Sequence, residues 1–361
     1  MNIGIFVGTR PDIIKLSPVI EELSKLNVSY EIIHTGQHYD TAMSESFFKE
    51  LQIPSPDYFL GDPSRSSDAC FIASKVSAFL KENKFTAIVI LGDTNSALGA
   101  ALAGCLAMIP VAHVEAGCRS FDRTMPEELS RVIITDCATT HFAPTKICMM
   151  NLQRENAPGK ILLTGHPTVD LLKKFSVVKN IEQKKGNCEP YILLTLHRPE
   201  NVDNKFKLKF ILESLGSLPV RVRFLIHPRT KKNLVEFGIY EAMPENFEIS
   251  DSLGYIETLK KIKNSLFVAT DSGGIQQEAF ILKIPCLTIR RSFEWVETFE
   301  AGVNILANPE NPGFEQSVRT MIDESKSIRA RFENAGEIFG DGNASNRIAR
   351  FLNGENVAET F

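Results

Sequence analysis

The strongest constraint on the fold is a series of short segments that are apolar throughout, separated by stretches with helical period. IGIFV, EIIHT, AIVIL, PVAHVE, THFAP and ILLTG follow one another through the first half of the chain. After a polar, Lys-rich interval from Lys179 to Glu189 the pattern restarts with YILLTLH, VRFLIH, NFEIS, LFVAT and PCLTIR. Runs without alternation have no face to offer water, so they suit parallel strands covered by helices on both sides. Strand–helix alternation of this kind builds βαβ units and doubly wound sheets. The 361 residues have room for two such domains. The expected class is α/β, with two Rossmann-like domains facing across a cleft. The expected boundaries are 1–168 and 169–345, with GDGNASNRIARFL leading into a helix at about 346–361 that packs back on the first domain.

The halves share a grammar without a strict repeat. Each opens with a strand running into a cationic Pro turn, VGTRPD and LTLHRPEN, and each later has a strand ending in an acidic turn, ILGDTNSA and VATDSGGI. In open α/β sheets ligands bind beyond the carboxyl ends of the strands, where all four turns fall. A net charge of -4 gives no reason to expect nucleic acid. No apolar run reaches the ~18 residues of a spanning helix, so no membrane is expected. The N-terminus reads as a strand rather than a signal sequence. Seven cysteines without a C-x-x-C pair point to reduced thiols and a cytoplasmic protein. Neither these nor the seven histidines fall in metal-ligand spacing, so no metal is expected.

TDSGGIQQEAF is the clearest anion site. Asp271 or Ser272 can cap a helix, and Gly273 and Gly274 let a ligand approach the backbone. The free N–H groups of the first turn would then face a phosphate. Glu278, about one turn on, could accept from ribose hydroxyls; a plain capped helix explains the stretch equally well. In GTRPDIIKLSP, Pro11 suits a helix start and Ile13, Leu16, Ile20 and Leu23 form its buried stripe. Lys15 flanks that stripe. Alone it reads as a surface lysine, but with Arg10 in the same turn it could clamp a diphosphate.

Three acids come at strand ends or helix starts: Asp93 after AIVILG, Glu115 ending PVAHVE, and Glu127 after Met125-Pro126. Asp93 could cap a helix and Glu127 could complement a helix dipole. Glu115 ends an apolar run, where an unpaired carboxylate would be costly. Together they fit a proton-transfer site. His197 ends a strand before Arg198-Pro199 and could serve as an acid or a phosphate partner. His227 has the same form with weaker support.

GTRPDIIKLSP, LGDTNSAL, HVEAGCRSFDRTMPEELSR, LTLHRPENVDN and TDSGGIQQEA, in this order, resemble the non-hydrolysing UDP-N-acetylglucosamine 2-epimerases. The resemblance extends from the first strand to FGDGNAS. It implies a glycosyltransferase-B type fold, a homodimer, and interconversion of UDP-GlcNAc with UDP-ManNAc without a cofactor. UDP is eliminated to leave 2-acetamidoglucal and then adds back, with a proton delivered to the opposite face of carbon 2. By this resemblance Asp93, Glu115 and Glu127 are the acid–base group, and Arg10, Lys15 and His197 stabilise the departing UDP. Ser272, Gly273 and Gly274 hold its diphosphate, and Glu278 holds its ribose.

The sequence departs from the family pattern at several points. Asp12 stands where Glu is common, Trp295 in FEWVE where an arginine is expected near the nucleotide, and His166 in GHPTVD where Asn is usual. GQHYDTAMSESFF differs from the Gln-rich pattern of members activated by UDP-GlcNAc, so weak or absent allosteric activation is expected. Rival readings are a 2-epimerase for another UDP-2-acetamido sugar, a hydrolysing epimerase releasing ManNAc, a glycosyltransferase and a UDP-sugar sensor. Retention of all six candidate catalytic residues counts against the sensor.

Overall fold

The computed structural model describes residues 2–37, 48, 51, 53–62, 68–175, 189–251 and 253–358. Nearly all of the Lys-rich interval, and most of GQHYDTAMSESFF, lie outside them.

The first unit comprises Met1–Lys174 together with Phe339–Phe361. Its strands are β1 (Asn2–Val7), β2 (Ser29–His34), β3 (Tyr58–Phe59), β4 (Ala87–Leu91), β5 (Val111–Val114), β6 (Thr140–Ala143) and β7 (Lys160–Leu163). They form one parallel sheet in the order β3-β2-β1-β4-β5-β6-β7. The second unit, Phe175–Ile338, holds β8 (Tyr191–Thr195), β9 (Arg221–Ile226), β10 (Phe247–Asp251), β11 (Val268–Thr270), β12 (Cys286–Thr288) and β13 (Asn304–Leu306). Its order is β10-β9-β8-β11-β12-β13, again parallel throughout.

Both sheets are doubly wound in the 3-2-1-4-5-6 sense, so each has a switch point where successive connections diverge to opposite sides. It lies between β1 and β4 in one unit and between β8 and β11 in the other. The apolar runs of the sequence all form strands. β3 and β13, two and three residues long at the sheet edges, were not marked by an apolar run. Ile88 to Leu91 and Tyr191 to Leu194 are buried on both faces. On helix Arg10–Lys25 the stripe Ile13, Leu16, Ile20 and Leu23 is buried against the first sheet's core. Each such side chain contributes about 1.5–3 kcal/mol of transfer free energy. Among the described residues no helix is long and apolar enough to cross a membrane.

The chain leaves the first unit at 174 and rejoins it at 339, rather than at the expected 168 and 345. Helix Pro167–Lys174 packs on Arg10–Lys25, and helix Ala344–Leu352 lies against both. Asp170 fixes this join, accepting from the backbone N–H groups of Ala344 (3.3 Å) and Ser345 (2.9 Å). These are orphan donors at the start of the closing helix. Phe351 meets Phe142 of β6 edge-on, with centroids 5.6 Å apart.

Candidate active site

The turn after β1 is closed by an acid. Asp12 Oδ2 accepts from the backbone N–H of Gly8 (3.0 Å) and Thr9 (2.9 Å), forming a capping box with Thr9. Burial pushes the Asp12 carboxyl up to about 6 despite these bonds. A Cβ at Gly8 would collide with the hydroxyls of Ser96 and Thr35, themselves 2.6 Å apart, so this junction accepts only glycine. Arg10 opens the helix, half-buried, and Pro11 takes its second position.

One and a half turns later, Lys15 Nζ meets Glu115 Oε2 at 2.6 Å, with the two side chains 16% and 13% exposed. Glu115 follows β5 with φ of +67°, a left-handed conformation that few residues other than glycine adopt. Strain of this kind clusters at functional sites. His166, fully buried just beyond β7, places Nε2 3.1 Å from the same oxygen. Burial alone would raise the Glu115 carboxyl. The charge of Lys15, 2.6 Å away, outweighs it, and the group is held far below the usual carboxylate range. Burial would likewise lower the Lys15 amine, but Glu115 lifts it above its ordinary value.

Asp93, just past β4, does not cap the helix that follows; Thr94 does, accepting from Ala97 N–H at 3.1 Å. Asp93 Oδ2 instead receives Arg131 Nε at 2.8 Å and lies 2.7 Å from a terminal guanidinium nitrogen. It also acts on Lys15 through its charge. Arg131 sits on helix Pro126–Cys137, whose first turn carries Glu127 and Glu128. The two acids differ completely. Glu128 is buried and closes the preceding loop, accepting from Ser120 N–H (2.9 Å), Ser120 Oγ (3.0 Å) and Phe121 N–H (3.1 Å). Glu127 is half-buried, four residues before Arg131 and so on the helix face that carries Arg131 to Asp93.

Arg131 and His166 contact the candidate acids Asp93 and Glu115, Glu128 lies beside Arg131, and the sequence reading assigned none of the three a role. The spacing of EELSR held a signal for Arg131; His166 stood out only as a departure from the family's usual Asn.

In the second unit the switch point between β8 and β11 is built around Asp271. It is fully buried and accepts from His197 N–H (3.1 Å), Arg198 N–H (2.9 Å) and Asn201 Nδ2 (3.2 Å). His197 Nδ1 lies 2.9 Å from Asp271 Oδ1. That contact places the ring proton on Nδ1 and leaves Nε2 for a ligand, on a side chain 38% exposed. Burial would raise the Asp271 carboxyl, but His197 and the backbone donors carry it below its ordinary value. His227 is a helix cap, its Nδ1 accepting from Arg229 N–H at 3.2 Å.

Ser272, not Asp271, caps helix Gly273–Ile281. Ser272, Gly273 and Gly274 are half-buried at its start, and Glu278 is half-buried one turn on. A Cβ at Gly273 would run into the Glu294 carboxylate, which pairs with the buried Arg290 at 2.7 Å. Trp295 is buried beside them and donates Nε1–H to Gly273 O at 3.0 Å. The indole thus stiffens the first turn from the inside, with its N–H engaged by the backbone.

The family model for UDP-N-acetylglucosamine 2-epimerase matches residues 21–353. A UDP-N-acetylglucosamine 2-epimerase of Methanocaldococcus jannaschii is 40% identical over 368 residues, covering 98% of this chain and 99% of that protein. The crystal structure of the M. jannaschii UDP-GlcNAc 2-epimerase in complex with UDP-GlcNAc and UDP superposes with a TM-score of 0.86. It is 39% identical, covering 98% of this chain and 100% of that one. A UDP-2,3-diacetamido-2,3-dideoxy-D-glucuronate 2-epimerase of Pseudomonas aeruginosa is 35% identical, covering 98% of this chain and 99% of that protein. The two α/β units have the glycosyltransferase-B type architecture, and the chain belongs to the UDP-N-acetylglucosamine 2-epimerase family.

Proposed function

We propose that this chain is a non-hydrolysing isomerase that interconverts UDP-GlcNAc and UDP-ManNAc. The observation that carries the reading is the buried Lys15–Glu115 pair in a strained left-handed turn. A protein that only bound a nucleotide would have no use for it. The reaction asks for proton carriers and for a holder of a diphosphate, and each unit offers one of these.

In the forward direction a carboxylate takes the proton from carbon 2. The electrons of that C–H bond form the double bond between carbons 1 and 2. The anomeric C–O bond breaks, and its pair leaves on the UDP oxygen. UDP then re-forms the anomeric C–O bond while a second acid delivers a proton to the opposite face of carbon 2, so more than one acid is needed there. Asp93, Glu115 and Glu127 fill these roles. Arg10, Lys15 and His197 neutralise the departing diphosphate. Ser272, Gly273 and Gly274 receive it at the helix start, and Glu278 takes the ribose.

Held by Lys15, Glu115 is too weak a base to act. A diphosphate that draws Lys15 away raises its basicity, which ties proton abstraction to substrate binding.

The substrate named for the M. jannaschii relative supports UDP-GlcNAc. A UDP-2,3-diacetamido uronic acid is the second reading, favoured by the P. aeruginosa relative and by Trp295 in place of the family's arginine. We further propose a cytoplasmic homodimer. Leu106, Met108, Leu129 and Ile133 are exposed on and beside two packed helices of the first unit, Asn95–Leu106 and Pro126–Cys137. They would suit a second copy, and sedimentation tests this directly.

Proton NMR with UDP-GlcNAc in deuterium oxide tests the reaction. Loss of the carbon 2 proton signal with growth of UDP-ManNAc is expected. Release of free sugar and UDP would convert the reading to a hydrolase. The same assay on Glu115→Gln should show UDP binding retained and turnover lost by orders of magnitude.

A further inference from the structure

His166 touches the Glu115 carboxylate but has no part in the reaction as written. It follows Gly165 in the turn after β7, and its backbone N–H donates to Phe339 O at 2.8 Å. The ring is completely buried, packed edge-on to Phe339 with centroids 6.4 Å apart. Its Nδ1 accepts the backbone N–H of Thr168 at 3.1 Å. A ring nitrogen that accepts a backbone N–H carries no proton, so the neutral imidazole holds its single proton on Nε2. Nε2 is the atom 3.1 Å from Glu115 Oε2, a contact whose geometry falls short of a hydrogen bond while Lys15 holds the same oxygen.

This geometry limits what His166 can do. To relay a proton it would have to accept a second one on Nδ1, which would break the Thr168 contact. Burial opposes the imidazolium as well, holding the ring below its ordinary value. The ring is therefore a fixed N–H donor. Lys15 differs: its amine is at the end of a long flexible chain and can turn toward a phosphate.

We propose that His166 is a positioning residue, whose Nε2–H keeps the Glu115 carboxylate aimed at carbon 2 when Lys15 turns to the departing diphosphate. This rests on the reading of Glu115 as a proton carrier. The proton moves from carbon 2 to a Glu115 oxygen, and His166 transfers none. Its donor stabilises the carboxylate before that transfer and fixes the side chain of a residue whose backbone is already strained. The other titratable groups near Glu115 are Lys15, with Asp93 beside it, and the buried His113 and Cys118. Burial keeps His113 neutral, and Cys148 with burial keeps the Cys118 thiol protonated.

The test compares His166→Phe, His166→Asn and His166→Gln for kcat, KM and the pH dependence of kcat. His166→Phe removes the donor and keeps a ring. Its kcat should fall by about 10- to 100-fold, with KM within about threefold of the parent. The acidic limb of kcat should move to higher pH, because the carboxylate has lost a donor. Asn and Gln carry an amide N–H and should recover part of the rate. Turnover in folded His166→Phe within about threefold of the parent would overturn the proposal. So would equal losses in all three variants with an unmoved acidic limb, which would assign the ring to packing. Should the Phe variant not fold, nitrogen-15 NMR of the unsubstituted protein decides. The expected signal is the Nε2-protonated neutral tautomer from pH 6 to 8; an Nδ1-protonated ring or an imidazolium refutes the idea. Near-parent turnover in Glu115→Gln would instead remove the role of Glu115 itself, which separates the two failures.

Discussion

The Lys15–Glu115 pair makes a prediction whose size follows from its setting. The charged atoms are 2.6 Å apart, with side chains mostly buried. Removing one partner of a buried pair costs about 3–5 kcal/mol, because the survivor stays charged away from water. Residual exposure of both groups, and His166 beside Glu115, reduce that to about 2–4 kcal/mol for Lys15→Met or Glu115→Gln. The double variant leaves no charge behind and should cost little more than either single one. The coupling energy is then about 2–3 kcal/mol. In a unit of roughly 200 residues each kcal/mol moves the midpoint by about 2–4 °C. The single variants should therefore melt about 4–16 °C below the parent. Calorimetry gives the transitions, and tryptophan fluorescence assigns them, since the single tryptophan, Trp295, belongs to the second unit. The loss should fall in the transition that fluorescence does not see. The pH dependence has a definite sign. Glu115 is depressed, so its stabilisation is complete above the unfolded value near ~4.3 and is lost as pH falls through the folded value. Lys15 is raised, so its share is complete below ~10.4 and is lost as pH rises through its folded value. The coupling should be flat from about pH 5 to 9 and shrink below it. Single variants that cost under about 0.5 kcal/mol, or strict additivity in the double, would refute the reasoning.

Two further outcomes follow from the other buried acids. Asp271→Asn turns one acceptor oxygen into a donor facing His197, Arg198 and Asn201, and should cost the second unit about 2–4 kcal/mol while weakening UDP binding; isothermal titration with UDP and the fluorescence melt both read it. Asp170 has its carboxyl raised to about 6 by burial, so its contribution is present below the unfolded value and lost as pH rises through about 6. Asp170→Asn should therefore gain on the parent by about 2–3 kcal/mol between pH 4 and pH 7, and a constant difference in melting temperature would show that Asp170 does not titrate there.

What could be read from the sequence was what local chemistry decides. Parallel strands buried on both faces leave unbroken apolar runs, so AIVIL and YILLT were legible as strands. β3 and β13 are edge strands that, unlike β11 in LFVAT and β12 in PCLTIR, were not marked by an unbroken apolar run. Arg10, Asp93 and Glu115 stood out as candidates because they follow strand ends, and Lys15 only because Arg10 precedes it in the same helix. The left-handed turn at Glu115 was not, because it depends on how β5 meets its neighbours. Neighbouring Glu127 and Glu128 look interchangeable in the sequence, and only the fold turns one inward to the Ser120 backbone. His166 and Glu115 are far apart in the chain and meet only through the order of β5, β6 and β7.

The two switch points also bear on the proposal that acid–base groups gather in one unit and an anion site in the other. In each, two backbone N–H groups after the first strand are left without a sheet partner. The second unit satisfies them from across the switch point, where Asp271 after β11 accepts from His197 and Arg198. The first unit satisfies the equivalent pair from within, where Asp12 of the following helix accepts from Gly8 and Thr9. That difference releases Asp93, the counterpart of Asp271 after β4, from a structural duty. It pairs with Arg131 instead, and its charge acts on Lys15. The second unit, with its acid committed to the turn, instead presents the capped start of helix Gly273–Ile281 and the Nε2 of His197. One fold used twice thus closes its first turn in two ways, and under the proposed function the side of the switch point that supplies the closing carboxylate is what separates an acid–base site from an anion site.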